Sequence, residues 1–146
     1  MELLLVPIDF SAGTEKVLAA AHRLAVATGA TLRLLHVAPP DPDFVPYDAG
    51  PALVRKHVAH TLRAEHRRLH ELAVQFSKDG VQTTARMVMG PFIETIVEQA
   101  KQSSADMIVL GSHGHGALFR IVLGSVSEGV VRQADCPVLV VPIRSP

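Results

Sequence analysis

Gly111-Ser112-His113-Gly114, nine further residues and then Gly124-Ser125 form the segment of this sequence best suited to chemistry. Glycine reaches positive φ and carries no Cβ, so consecutive backbone N–H groups can converge on an anion. Gly124 and Ser125 stand where a helix is expected to begin, and the unpaired N–H groups and positive dipole end there favour phosphate. The dipole contributes about 0.3–1 kcal/mol in exposed settings, and hydrogen bonds to charged groups contribute about 1.5–3 kcal/mol each. Several such contacts plus a purine slot would reach the roughly 8 kcal/mol that micromolar affinity requires. Ser125 and Ser127 add hydroxyl donors, and His113 reads as a donor beside phosphate. Taken alone, the glycines fit an ordinary turn equally well.

Neighbouring motifs fail on inspection. Gly111 and Gly116 have the glycine spacing of a P-loop, but Ala117-Leu118 stands where Lys-Ser/Thr is needed. Gly114-His115-Gly116 lacks the third glycine of a dinucleotide fingerprint, and no serine is central in Gly-x-Ser-x-Gly. His113 and His115 have no carboxylate cluster nearby in sequence, so no metal site is expected there. His66 and His70 have i,i+4 spacing, but with His57 and His60 they fall on a polar helix face, so a solvated surface is expected. His36 reads as a hydrogen-bonded core residue, Cys136 as a packed thiol, and Met87 and Met89 as packing. No catalytic residue is assigned.

The elements that must position the glycine loop follow from periodicity. Leu3–Ile8 is an unbroken apolar run, as in strands buried on both faces of a parallel sheet, with regular pairing expected to end near Pro7. Ser11 or Thr14 is expected to cap a helix carrying Val17, Leu18, Ala21, Leu24, Ala25 and Thr28 on one side, stopped by Gly29. Thr31–Val37 is a second strand. Residues 38–51 are a proline-rich loop. A long helix from about Ala52 to Phe76 has Val54, Val58, Leu62, Leu69, Leu72 and Phe76 as its stripe. Val81–Val88 is a more polar strand suited to a sheet edge, and Gly90-Pro91 opens a helix whose buried face is Ile93, Ile96, Val97 and Ala100. Met107–Leu110, a last helix between Gly124 and Ala134, and Pro137–Val141 complete the series. Strict alternation of strand and helix implies right-handed crossovers and a parallel sheet with helices on both faces. Ligands of such sheets sit beyond the strands' carboxyl ends, which singles out the glycine loop and Val6-Pro7-Ile8-Asp9-Phe10-Ser11.

Composition sets the outer limits. The 146 residues suit one domain, 1–146. A formal net charge of +0 gives no basic field for a polyanion, and Arg63, Arg67 and Arg68 are interleaved with His and Glu, so no nucleic-acid partner is expected. The single cysteine forbids an intrachain disulfide and a Cys-rich zinc site. Met1-Glu2 leads into a short apolar run without a signal-peptide pattern, and no apolar stretch suits a membrane helix; a cytoplasmic protein is expected.

The segments LLVPIDFSAGTEKVLAAA, LLHV, GPFIETIVEQA, ADMIVLGSHG, LGSVSEGVV and DCPVLVVP together resemble the universal stress protein family over nearly the whole chain. Within that family, Gly-x2-Gly-x9-Gly-Ser/Thr marks the members that retain ATP, and this chain has Gly111, Gly114, Gly124 and Ser125 at that spacing. The resemblance implies that Pro7 and Asp9 line the nucleoside end and that Val37 meets adenine or ribose. It implies that Gly111, Ser112, His113 and Gly114 wrap the phosphates, with Gly124, Ser125 and Val126 closing from the helix. The cofactor expected is ATP, with or without Mg²⁺. A homodimer joined through the fifth strand, Pro137–Val141, is also implied, and an apolar edge strand independently asks for pairing or cover. The expected fold is a five-stranded, parallel, doubly wound (Rossmann-like) α/β sheet in the order 3-2-1-4-5. The expected role is a stress-response regulator that binds ATP. Two alternatives stand beside it: a slow ATP hydrolase, for which Arg120 is the only fixed charge in the loop, and a dimeric interaction module with an empty cleft.

Overall fold

Why the strands read as continuous apolar runs is plain from where their two sides go. The computed structural model describes residues 1–40, 51–113 and 123–144, with the side chains of 51–55 excepted. Five strands, β1 (Leu3–Pro7), β2 (Thr31–Ala38), β3 (Thr83–Met89), β4 (Met107–Gly111) and β5 (Val138–Val141), form one parallel sheet in the order β3-β2-β1-β4-β5. Leu4, Val6, Leu32, Leu34 and Val109 face a core completed by α1 (Thr14–Thr28) and α2 (Pro51–Lys78). Their neighbours Leu5, Leu35, Ile108 and Leu110 face a second core under α3 (Phe92–Gln102) and α4 (Ser125–Gln133). A strand covered by helices on both sides has no solvent face to alternate with.

The expected order and helix faces agree with this structure, with local corrections. Pro7 is the last residue of β1, paired with Leu35, and Ile8 N–H still donates to the Leu35 carbonyl at 2.9 Å. Neither Ser11 nor Thr14 caps α1 with its side chain. Gly13 is the N-cap, and the Ser11 and Gly13 carbonyls receive the first N–H groups instead. Thr28 is exposed rather than part of the buried face, its hydroxyl donating to the Leu24 carbonyl. Met89 is exposed at the end of the edge strand β3, whereas Met87 packs on the core. His57, His60, His66 and His70 are exposed along α2. Cys136 is partly buried in the second core, where desolvation raises its thiol pKa above the ordinary value. Of the loop expected at 38–51, Ala38 belongs to β2 and Pro51 to α2, while residues 41–50 lie outside the described residues. No described helix is long and apolar enough to cross a membrane.

Asp106, just before β4, ties the sheet's centre to the chain start. Its Oδ2 accepts N–H groups from Leu3 at 2.9 Å and Glu2 at 2.6 Å, and these bonds hold the carboxyl below its ordinary range. A carboxyl with a depressed folded pKa adds stability above its unfolded pKa and loses it as pH falls through the folded one. Urea unfolding of wild type and Asp106→Asn is therefore expected to show a wild-type advantage at neutral pH that shrinks with acidification. Curves that stay parallel across the acid range would exclude this role.

Candidate functional site

In the sheet order, β1 lies between β2 and β4, so successive connections leave it in opposite directions. The gap between β1 and β4 at their carboxyl ends is the topological switch point. A cavity of about 410 Å³ opens there. Part of its lining is apolar, Leu35, Val37, Ile96 and Leu110 with the half-exposed Phe92 ring at the start of α3. Part is polar, with Asp9, Ser11, His113 and Ser125.

Most of the residues expected from the sequence meet at this cavity. Pro7 and Asp9 arrive on the turn after β1, Val37 at the end of β2, and Gly111 and His113 at the end of β4. Gly124, Ser125 and Val126 arrive at the start of α4. Gly114, His115 and Arg120 lie outside the described residues. Ser112 does not line the cavity. Its N–H donates to the Val141 carbonyl, its carbonyl accepts from Gly124 N–H at 2.7 Å, and its Oγ accepts from Ile143 N–H at 2.9 Å. Ser112 thereby joins β4, β5 and α4 at the point where the polar wall is built.

The end of α4 that faces the cavity is an uncapped one. Gly124 supplies no side-chain cap, so the N–H groups of Ser125, Val126 and Ser127 have no intrahelical acceptor, as in any first turn. The hydroxyl of Ser127, expected as a further donor to ligand, is already used: it is buried and donates to the Gly111 carbonyl at 2.6 Å. That bond fixes α4 against the tip of β4. His113 Nδ1 lies 2.9 Å from Ser112 Oγ, which holds the ring at the cavity edge. A Cβ on Gly111 would sit 3.1 Å from Ile143 and 3.2 Å from Val17, so this glycine also makes room for packing beneath the loop.

Sequence reasoning missed Phe92, Gly13 and Thr14 as cavity residues, and the first two need tertiary contacts to be seen. Gly13 admits Ile143, since a Cβ there would meet its side chain at 2.9 Å. The signal for Thr14 was available: α1 begins directly after the first strand tip, so its N-terminus must border the same crevice. The Thr14 hydroxyl, read as a cap, instead lies buried at the cavity with no partner among the described residues.

Fold and site together define a doubly wound α/β protein with a part-polar cavity at its switch point. The chain matches the universal stress protein family over residues 1–142 and belongs to that family. A universal stress protein of Thermus aquaticus is 34% identical over 140 residues, covering 94% of this chain and 96% of that one. The chain spans only 36% of the relative MJ0531 of Methanocaldococcus jannaschii, with 48% identity over 62 residues. The solved structure of MJ0577 from Methanocaldococcus jannaschii has a TM-score of 0.83 at 26% identity, covering 99% and 98% of the two chains. Two universal stress protein structures share the fold at lower identity. One, in complex with cAMP, has a TM-score of 0.66 at 23% identity and covers 96% of each chain. The other, from Archaeoglobus fulgidus with dAMP, has 0.65 at 21%, covering 96% and 97%.

Proposed function

We propose that this protein binds ATP at the switch-point cavity and acts as a cytoplasmic, homodimeric stress-response regulator with little turnover. The observation that carries the reading is the division of one cavity into two chemistries. The uncapped first turn of α4, with Gly111 and His113 beside it, offers N–H donors to a polyphosphate. Val37 and the Phe92 ring offer an apolar face to a base, and Asp9 offers acceptors to ribose hydroxyls. Gly-x2-Gly-x9-Gly-Ser, completed by Gly114, supports the phosphate half. The complexes of two family members with adenine nucleotides support the base half. A volume of about 410 Å³ is in the range of small-molecule sites, which run from roughly 300 to 1,000 Å³.

Calorimetry of the purified protein with ATP and Mg²⁺, after removal of any copurifying nucleotide, tests this directly. The expected dissociation constant is micromolar, about 8 kcal/mol of binding free energy, with GTP binding more weakly. Mass spectrometry of the untreated protein is expected to find an adenine nucleotide. Absence of binding heat for ATP, together with no copurifying nucleotide, would overturn the reading.

A further inference from the structure

Both ring nitrogens of the buried His36 face oxygen acceptors. Nδ1 lies 2.9 Å from the Ile8 carbonyl, and Nε2 lies 3.1 Å from Oε2 of Glu65 on α2. A carbonyl only accepts, so Nδ1 must carry a proton to make the first bond. An ionised carboxylate also only accepts, so the second contact needs another proton between Nε2 and Oε2. A neutral imidazole has one N–H. Both contacts can be hydrogen bonds at once only if the pair holds one proton more than a neutral imidazole and a carboxylate would. Without it, a nitrogen lone pair opposes either Ile8 or Glu65.

The pair grips the turn that walls the cavity. Ile8 lines the cavity and leads into Asp9, whose Oδ1 accepts the Ser11 N–H at 3.0 Å. Between them, Phe10 has φ 58°, a left-handed conformation that bulky residues adopt only when their surroundings enforce it. Two groups hold it there: the Phe10 ring is 4.9 Å from the His36 ring, and the Arg68 guanidinium stands 4.7 Å over it. Among the described contacts, the charged groups around this cluster are Glu65 and Arg68 of α2 and Asp9 of the turn itself. The residue after β1 offers the Ile8 carbonyl, and the β3 residue in register with His36 is the uncharged Met87.

We propose that His36 is a positioning residue for the ligand cavity: held doubly protonated between Ile8 and Glu65, it fixes the β1–α1 turn and makes its shape depend on one proton. The proposal rests on the reading of the cavity as a nucleotide site. Binding is strongest where the pair keeps its proton and weakens as rising pH removes it. Glu65→Gln changes this in a specific way. An amide N–H can donate to Nε2, so a neutral imidazole satisfies both partners and the extra proton is no longer needed.

The test is ATP affinity against pH for wild type, Glu65→Gln and His36→Leu, with nitrogen NMR of the His36 ring in the absence of nucleotide. Wild-type affinity is expected to fall with rising pH more steeply than that of Glu65→Gln. Titration of ATP itself is common to both proteins and cancels in that difference. His36→Leu is expected to bind about tenfold more weakly, since it loses a bond to a charged group. The ring is expected to show protons on both nitrogens in wild type and on Nδ1 alone in Glu65→Gln at the same pH. Identical pH profiles, or a singly protonated wild-type ring throughout the range where the fold persists, would overturn the proposal. If wild type takes up no ATP, the nucleotide reading fails, while the ring spectra still decide whether the extra proton is held.

Discussion

Gly124→Val is expected to bind ATP at least about 100-fold more weakly than wild type, a loss of roughly 3 kcal/mol, which one charge-assisted hydrogen bond and part of a helix-end interaction account for. The reason is the closeness of two backbones. Gly124 N–H donates to the Ser112 carbonyl at 2.7 Å, and a Cβ at 124 would sit 3.3 Å from that oxygen and 3.6 Å from His113 Cα. A single methyl is tight there; the branched side chain of valine pushes the Ser112–His113 segment off the start of α4. That separates the His113 wall from the N–H groups of Ser125 and Val126, which in the proposed site act on one phosphate chain together. Gly124→Ala is expected to fall between the two. Because Gly124 adopts an ordinary extended conformation, φ −61° and ψ 160°, valine adds no φ/ψ strain of its own, and any fall in the thermal midpoint reports only the displaced Ser112–His113 segment. Calorimetry with ATP alongside thermal unfolding separates the effects. Unchanged affinity in Gly124→Val would remove the phosphates from this corner.

The same corner explains which parts of the protein were legible in its sequence. Strand and helix order follow from periodicity because both sheet faces are covered, and runs such as Leu3–Val6 leave no other reading. Strand tips were legible for the same reason: a switch point is a consequence of topology, and Asp9 and Gly111 stand at the ends of apolar runs. What periodicity does not carry is the fate of individual hydroxyls. Ser127 and Ser112 look like donors to a ligand, yet tertiary contacts consume them, one on the Gly111 carbonyl and the other on Ile143 and His113. Thr14 was misread in the opposite sense, as a cap. Phe92 enters the cavity wall only because α3 starts beside the tip of β2. His36 was legible as a buried, bonded residue, but its partner Glu65 lies 29 positions away on a helix whose register against the sheet no local pattern gives.

Leu139→Glu is expected to convert a dimer into a monomer, because the two sheet edges are guarded unequally. An edge strand exposes unpaired N–H and C=O groups and is a template for another strand unless charge, length or cover blunts it. β3, at one edge, exposes Thr84 and Arg86, and the charge of Arg86 discourages a second strand. β5, at the other, reads Val138-Leu139-Val140-Val141 without a charged residue, and none of the four is fully buried. Leu139 is 38% exposed, and Val131 on the neighbouring α4 is 46% exposed. Two copies meeting antiparallel along β5 would pair these groups about a two-fold axis, each copy presenting the same surface to the other. A carboxylate at 139 would then face its own copy across the axis, where like charges lose water and repel. Sedimentation or light scattering is expected to give wild type the mass of two chains and Leu139→Glu the mass of one. Both proteins should keep a cooperative thermal transition, since Leu139 contributes little to either core. A wild-type monomer at high concentration, or a Leu139→Glu dimer of undiminished affinity, would take the subunit contact away from β5.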